Sequence, residues 1–189
     1  MKAQMRKHQR STFATIIALL FAALPLSVNA QNSDSGQGVA QAEVVKPLSA
    51  IPLADLSFGS IAVGRDVPGK VRVAPDGGPA AYFNSARAQC SGQVDCAPHR
   101  ASFEVVGEAN RTYRVSLPRF VTARGANTGA QLVVDELEVR SLNYPGAADG
   151  GRLDAEGRDL FFVGGTVSIP ARTATDTFRA QLPITVSYN

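Results

Sequence analysis

Phe178-Arg179-Ala180-Gln181-Leu182-Pro183-Ile184-Thr185-Val186-Ser187-Tyr188 closes the chain, with Asn189 after it, and alternates apolar and polar side chains without a break from Phe178 to Tyr188. Only a strand places successive side chains on opposite faces, so this period of two specifies an extended segment with one wet and one buried face. Eleven residues at about 3.3 Å each predict a strand about 35 Å long. Pro183 has no N–H to donate, which predicts an unpaired or edge-facing side at that position.

The same alternation recurs upstream, in Ser102-Phe103-Glu104-Val105, Thr112-Tyr113-Arg114-Val115-Ser116-Leu117, Leu137-Glu138-Val139-Arg140 and Thr166-Val167-Ser168-Ile169. Turn chemistry separates these runs at Val67-Pro68-Gly69, Pro75-Asp76-Gly77-Gly78, Gly107 to Asn110, Gly125 to Gly129, Pro145-Gly146 and Asp149-Gly150-Gly151. Short strands at that spacing, with no helical period between them, predict an all-β, antiparallel sandwich of about seven to nine strands. A closed barrel competes, and uneven loop lengths argue against it.

Before this region the pattern changes. Residues 2 to 10 are basic, residues 12 to 24 are apolar apart from two Thr, and Val28-Asn29-Ala30 precedes Gln31. That order is the signature of a secretory signal peptide, predicted to span residues 1–30 with cleavage between Ala30 and Gln31. An uncleaved anchor is the alternative, but 13 residues of helix reach about 20 Å against a hydrocarbon core of about 30 Å, and Pro25 ends the run. Residues 31–39 read as a flexible polar leader, and residues 40–189 as a single sandwich domain. No later run is apolar enough to span a bilayer, so the expected location is periplasm, outer cell surface or medium.

Charge follows from the same division. The whole chain carries 19 Lys+Arg against 16 Asp+Glu, but Lys2, Arg6, Lys7 and Arg10 lie in the signal segment and no acid precedes Asp34. Subtracting four leaves 15 basic against 16 acidic groups, a net of about −1, so no nucleic-acid partner is expected. Gly and Pro, 17 and 11 residues, are scattered, which excludes collagen-like and low-complexity classes.

Cys90 and Cys96 are the only cysteines. In an exported chain they predict a disulfide closing a small loop, with about 2.4 kcal/mol of chain-entropy stabilisation. A Cys/Cys/His metal site with His99 is the rival reading, and it lacks a fourth ligand. His99 is the sole imidazole after residue 30, in the loop Ala97-Pro98-His99-Arg100, and no Gly-x-Ser-x-Gly elbow accompanies it. Asp149, Asp154, Glu156 and Asp159 could offer carboxylates to calcium but fit a solvated turn better. Asp135, Glu136 and Glu138 fall on a strand, where parity groups Asp135 with Val133 and Val139 and sets adjacent carboxylates on opposite faces. The expectation is a non-enzymatic chain with no catalytic residue, cofactor or metal.

Val44-Val45-Lys46-Pro47-Leu48-Ser49, Ala54 to Ile61, Val73 to Gly77, Ala101 to Gly107, Tyr113 to Pro118, Val163-Gly164-Gly165-Thr166-Val167 and Ile184 to Asn189 resemble, in that order, the bacterial domain of unknown function 4402 family. The resemblance covers about residues 40–189. It implies an exported, surface-associated sandwich of immunoglobulin-like or pilin-like type from a Gram-negative bacterium, without an assigned activity. The closing segment is similar to that of chaperone–usher pilins: alternating apolar residues and a penultimate aromatic, Tyr188. It departs from them at Asp176, which stands at a Gly position, at Phe178 and Ala180, and at Pro183. The expected function is a structural or adhesive surface protein that assembles by strand addition, with Phe178, Ala180, Leu182, Ile184, Val186 and Tyr188 as the partner-strand interface and a periplasmic chaperone as a possible partner. Ala40, Ala42 and Val44 alternate with Gln41 and Glu43 and would supply the donor strand to a neighbour. Alternatively residues 40–46 are the domain's own first strand. The second function class is a secreted binding module for a glycan or partner protein, using the loops around Cys90 to Cys96 and Asp149 to Asp159.

Overall fold

A computed structural model describes residues 38–90 and 96–189. The predicted signal segment with its Ala30–Gln31 junction, and leader residues 31–37, lie outside the described residues. The chain divides into Met1–Ala42 and Glu43–Asn189. In the first unit the described residues, 38–42, are exposed and form no strand.

Glu43–Asn189 is an all-β, sandwich-like fold with antiparallel pairing, and no helix occurs among the described residues. Its strands are β1 (Ser49–Ala54), β2 (Ile61–Ala62), β3 (Gly69–Val73), β4 (Ala81–Asn84), β5 (Arg87–Ala88), β6 (Ala101–Val106), β7 (Thr112–Ser116), β8 (Val121–Gly125), β9 (Gln131–Ser141), β10 (Gly150–Arg152), β11 (Arg158–Ile169), β12 (Phe178–Arg179) and β13 (Thr185–Tyr188). Thirteen strands stand where seven to nine were expected, because β2, β5, β10 and β12 are paired pieces of only two or three residues.

The large sheet runs β1-β6-β11-β9-β8-β12, with β3 and β4 added beside β11. β11 organises it. Its first half, Arg158 to Val163, pairs with β6, and its second half, Gly165 to Ile169, pairs with β3, while β9 lines the other side from Phe161 to Ser168. A three-stranded sheet β10-β7-β13 and a two-stranded sheet β2-β5 complete the pairing. Odd residues of β11 face inward: Phe161, Val163, Val167 and Ile169 are all buried.

Two apolar clusters lie along β9 and β11. One joins Val71, Ala86, Ala123, Leu132, Val134, Val167 and Ile169, with Phe58, Ile61, Val63 and Phe178 packed against it. The other joins Ala101, Val105, Tyr113, Val115, Leu153, Phe161 and Val163, where Phe103 stacks on Phe161 at 5.0 Å between ring centroids.

Parity on β9 does not run straight through. Gly164 opposes Glu138 but Thr166 opposes Asp135, so two residues of β9 answer one of β11. The extra residue sits at Glu136, whose φ is 49°. A bulge shifts the period by one and exchanges the faces. Leu132 and Val134 point inward before it, Leu137 and Val139 after it. The expectation that Asp135 shares a face with both Val133 and Val139 is therefore corrected: it shares Val133's face, partly buried with its Oδ1 out of solvent, while Val139 joins the core. The bulge also brings Glu136 and Glu138 to the outer face, paired with Lys70 at 3.3 Å and Arg72 at 2.9 Å.

Candidate functional site

The closing segment is where sequence and structure differ most usefully. Phe178 to Tyr188 is two strands. β12 adds to β8 at one end of the large sheet, and β13 adds to β7 in the small sheet. Residues 180–184 cross between the sheets and take part in no strand pairing among the described residues. The alternation nonetheless survives from Leu182 on: Leu182, Ile184, Val186 and Tyr188 pack against the second core while Gln181, Pro183, Thr185 and Ser187 are exposed. Phe178 packs against the first core, and Ala180, expected to share that interior, is exposed.

Asp176 fixes where this segment starts. Its carboxylate accepts hydrogen bonds from the Thr128 hydroxyl at 2.6 Å, the Thr128 N–H at 2.7 Å, the Thr177 N–H at 2.8 Å and the Asn127 side-chain amide at 2.9 Å. The Thr128 hydroxyl first, then the backbone donors of Thr128, Thr177 and Asn127, holds the carboxyl well below the usual carboxylate range. The Asn127 and Thr128 donors belong to the β8–β9 turn, so the carboxylate clasps the approach to β12 onto β8. The folded value is depressed, so the unfolded chain binds the proton more tightly and the clasp stabilises at neutral pH. That contribution is lost as pH falls from about 4 through the folded value. Thermal unfolding should show it: the loss of midpoint between pH 6 and pH 3 is expected to be smaller in Asp176→Asn than in the parent.

Tyr188 fixes the other end. Its hydroxyl donates to the Lys46 carbonyl at 2.8 Å and accepts from the Glu108 N–H at 2.6 Å, and the Glu108 carboxylate accepts from the Lys46 N–H at 2.9 Å. Lys46 lies three residues before β1, so the free edge of the large sheet at β1 and the free edge of the small sheet at β13 meet on one flank.

That flank is incompletely covered. On β7 the inward Tyr113 and Val115 are 1% and 3% exposed, yet their β13 neighbours Val186 and Tyr188 are only half-buried. Leu48, Leu56, Leu117, Leu182 and Ile184 are likewise only partly covered over the same core. β13 pairs with β7 alone, which leaves its second edge without a ladder partner among the described residues.

Residues 40–46, offered as the domain's own first strand, form no strand: the first strand begins at Ser49, and Val44 is 97% exposed. Leu117 continues the inward parity of Tyr113 and Val115, whereas Leu56 lies outside the alternating runs and no sequence signal reports where it sits on this flank.

The other candidates fall in separate places. Cys90 and Cys96 form the disulfide, with Cα atoms 5.3 Å apart. His99 acts through its backbone, exchanging two 2.9 Å hydrogen bonds with Ser57, and its ring is exposed. Asp149 pairs with Arg114 at 3.3 Å, and Asp154 accepts the Glu156 and Arg158 N–H groups in a tight turn. Asp159 is not in a solvated turn. It is 3% exposed at inward parity on β11, accepts from the Tyr113 hydroxyl at 2.9 Å, the Ser141 hydroxyl at 2.6 Å and the Asn143 N–H at 3.1 Å, and ties β7 to β9 and β11. Among the described residues no group of three His, Cys, Asp or Glu side chains is placed to hold a metal ion. No described helix is long and apolar enough to cross a membrane, and this with the disulfide is compatible with export. A family model, Domain of unknown function (DUF4402), matches residues 48–188. No curated protein matches the chain.

Proposed function

The chain therefore belongs to the domain of unknown function 4402 family, and we propose that it is an exported, non-enzymatic structural or adhesive protein of the cell surface that assembles by strand addition. The observation that supports this most directly is the open flank between β1 and β13, where a strand edge has no ladder partner among the described residues and the apolar side chains beneath it are half-covered. An extended segment laid there would gain main-chain hydrogen bonds from Thr185 to Tyr188 and cover the second core with alternate side chains. Pro183 limits the ladder to β13, since it offers no N–H. The donor is the leader of a neighbouring subunit, in which Ala40, Ala42 and Val44 alternate with polar Gln41 and Glu43. A periplasmic chaperone would hold the same flank before assembly.

The test is a gel of surface extract run with and without boiling. Strand-added subunits are expected to give a ladder that survives cold detergent and collapses on boiling, and deletion of residues 31–45 is expected to abolish it. A single band in both lanes, or a ladder unchanged by the deletion, overturns the proposal.

A further inference from the structure

Asparagine occurs seven times in the chain, and only Asn110 is followed two residues later by Ser or Thr, in Glu108-Ala109-Asn110-Arg111-Thr112. Asn-x-Ser/Thr, with a residue other than Pro in the middle, is the acceptor sequence for an N-linked glycan in an exported protein, provided that it lies in a surface loop. The bacterial form of that acceptor adds an acid two residues before the Asn, the place that Glu108 holds. A motif this short occurs by chance, so its surroundings decide whether it is usable.

The turn between β6 and β7 meets the requirement. Ala109 and Asn110 are exposed at its tip, and the exposed Thr112 opens β7 opposite Arg152 of β10. The backbone of the turn is held firmly: the Asn110 N–H donates to the Asp154 carbonyl at 3.0 Å, the Asn110 carbonyl accepts from the Arg152 Nε at 3.3 Å, and the Gly107 N–H donates to the Gly157 carbonyl at 2.9 Å. The side chain stays outside this framework. The Asn127 amide is committed to Asp176 and the Asn143 amide to the Arg152 and Arg158 carbonyls, whereas the Asn110 amide and the Thr112 hydroxyl have no hydrogen-bond partner among the described residues. The Asn110 φ of 62° is a left-handed value that Asn tolerates, which accounts for an Asn at the tip. It accounts for neither the hydroxyl two residues later nor the acid two residues earlier.

We propose that Asn110 is a glycosylation site, whose side chain takes an oligosaccharide from a lipid-pyrophosphate donor once the chain has been exported. The Asn110 Nδ2 attacks the anomeric carbon of the donor sugar, and the bond from that carbon to the pyrophosphate oxygen breaks. The lipid pyrophosphate leaves with the bonding pair, Nδ2 gives up one proton to a carboxylate of the transferase, and nothing is oxidised or reduced. The Thr112 hydroxyl is the group by which the transferase recognises the acceptor. The product keeps the bonds that hold the tip, since these run through main-chain atoms of Asn110 and Gly107 and not through Nδ2. A bulky, solubilising substituent then stands two residues from Glu108, whose N–H holds the Tyr188 hydroxyl, so it borders the open flank and leaves the β13 edge itself clear. Of the properties proposed above, this one rests on export alone and not on strand addition.

Intact-mass measurement of the chain purified from its own cells tests it. A chain cleaved of residues 1–30 is expected, heavier than its sequence by the mass of an oligosaccharide, with sugar oxonium ions released from the peptide that contains Asn110. Thr112→Val keeps the branched shape without the hydroxyl and is expected to return the chain to its sequence mass, as is Asn110→Gln, while Thr112→Ser retains the added mass. Thr112 is exposed, so an unchanged far-ultraviolet circular dichroism spectrum is expected of its two variants, and they decide the matter even if Gln at a φ of 62° disturbs the turn. A cleaved chain at its sequence mass, an added mass that survives Thr112→Val, or one that maps to another residue overturns the proposal. A chain that still carries residues 1–30 overturns export and this proposal with it, so the two failures read differently.

Discussion

Asp159→Ala is expected to lower the thermal midpoint by about 10–20 °C at neutral pH, with the far-ultraviolet spectrum retained below the transition. The carboxylate is 3% exposed and receives two hydroxyls that are themselves buried, those of Tyr113 and Ser141, each on a residue 1% exposed. Removing it leaves two or three donors in a dry interior, and each stranded group costs about 1–3 kcal/mol. The sum, about 3–6 kcal/mol, is a large share of a folding free energy of roughly 5–15 kcal/mol. Tyr113 cannot compensate by ionising. Burial first, then the Asp159 charge, pushes its phenol far above the ordinary value in the parent, and the burial persists in the variant, so it remains an O–H donor. Gly151 packs directly on the cluster, where a Cβ would lie 2.5 Å from the Asp159 carboxylate and 2.7 Å from the Ser141 hydroxyl, so the site admits no side chain at this position. Asp159→Asn is expected to cost less than half as much: its carbonyl can accept from both hydroxyls, and its amide then faces the Asn143 N–H. A midpoint within about 3 °C of the parent for Asp159→Ala would show that the cluster carries little of the link between the sheets.

Asp159 also shows how much of the molecule is legible in the sequence. Alternation along β11 is written in Phe161, Val163, Val167 and Ile169, and extending it two residues back puts Asp159 on the inward face. The Gly-rich context of Asp149 to Gly157 hides this by suggesting a turn, so the signal is present but points to a buried acid only once the strand's start is known. The antiparallel β class was legible because period-two patterning is local. The faces of β9 were not, since the bulge at Glu136 depends on its partner strand and on a φ of 49° that nothing in Val134-Asp135-Glu136-Leu137 announces. The closing segment shows the same limit. Its alternation correctly gives which side chains face the core from Leu182 to Tyr188, but a period of two is equally satisfied by one long strand and by two short ones on different sheets. Only the Asp176 clasp at one end and the Tyr188 anchor at the other decide between them, and both reach partners more than 45 residues away. Pro183 was the one local hint.

Gly164→Ala should destabilise by about 3 kcal/mol or more, the upper range of overpacking, and Gly164→Val by more still. Gly164 is the residue at which β11 passes from β6 to β3, and β3 ends at Val73 immediately beside it. A Cβ on Gly164 would collide with the Val73 carbonyl and lie 2.7 Å from both the nitrogen and the Cδ of Pro75. These are backbone and ring atoms, which cannot rotate away. Val73 is held by its ladder to Gly165, and the Pro75 carbonyl is held by the Arg100 guanidinium at 2.7 Å. To admit a methyl group the chain must lift Pro75, which pulls Arg100 from the Phe162 ring it covers and exposes a second apolar residue on the outer face. The cost is therefore steric and then hydrophobic, and it arises without any demand for a left-handed backbone at this glycine. Gly146→Ala is the control. A Cβ there meets nothing within 4 Å, so it is expected to change stability by no more than about 0.5 kcal/mol. Urea unfolding of the two variants separates the readings: equal midpoints would mean that Pro75 yields freely and that the passage of β11 from β6 to β3 is not fixed by the absence of a side chain.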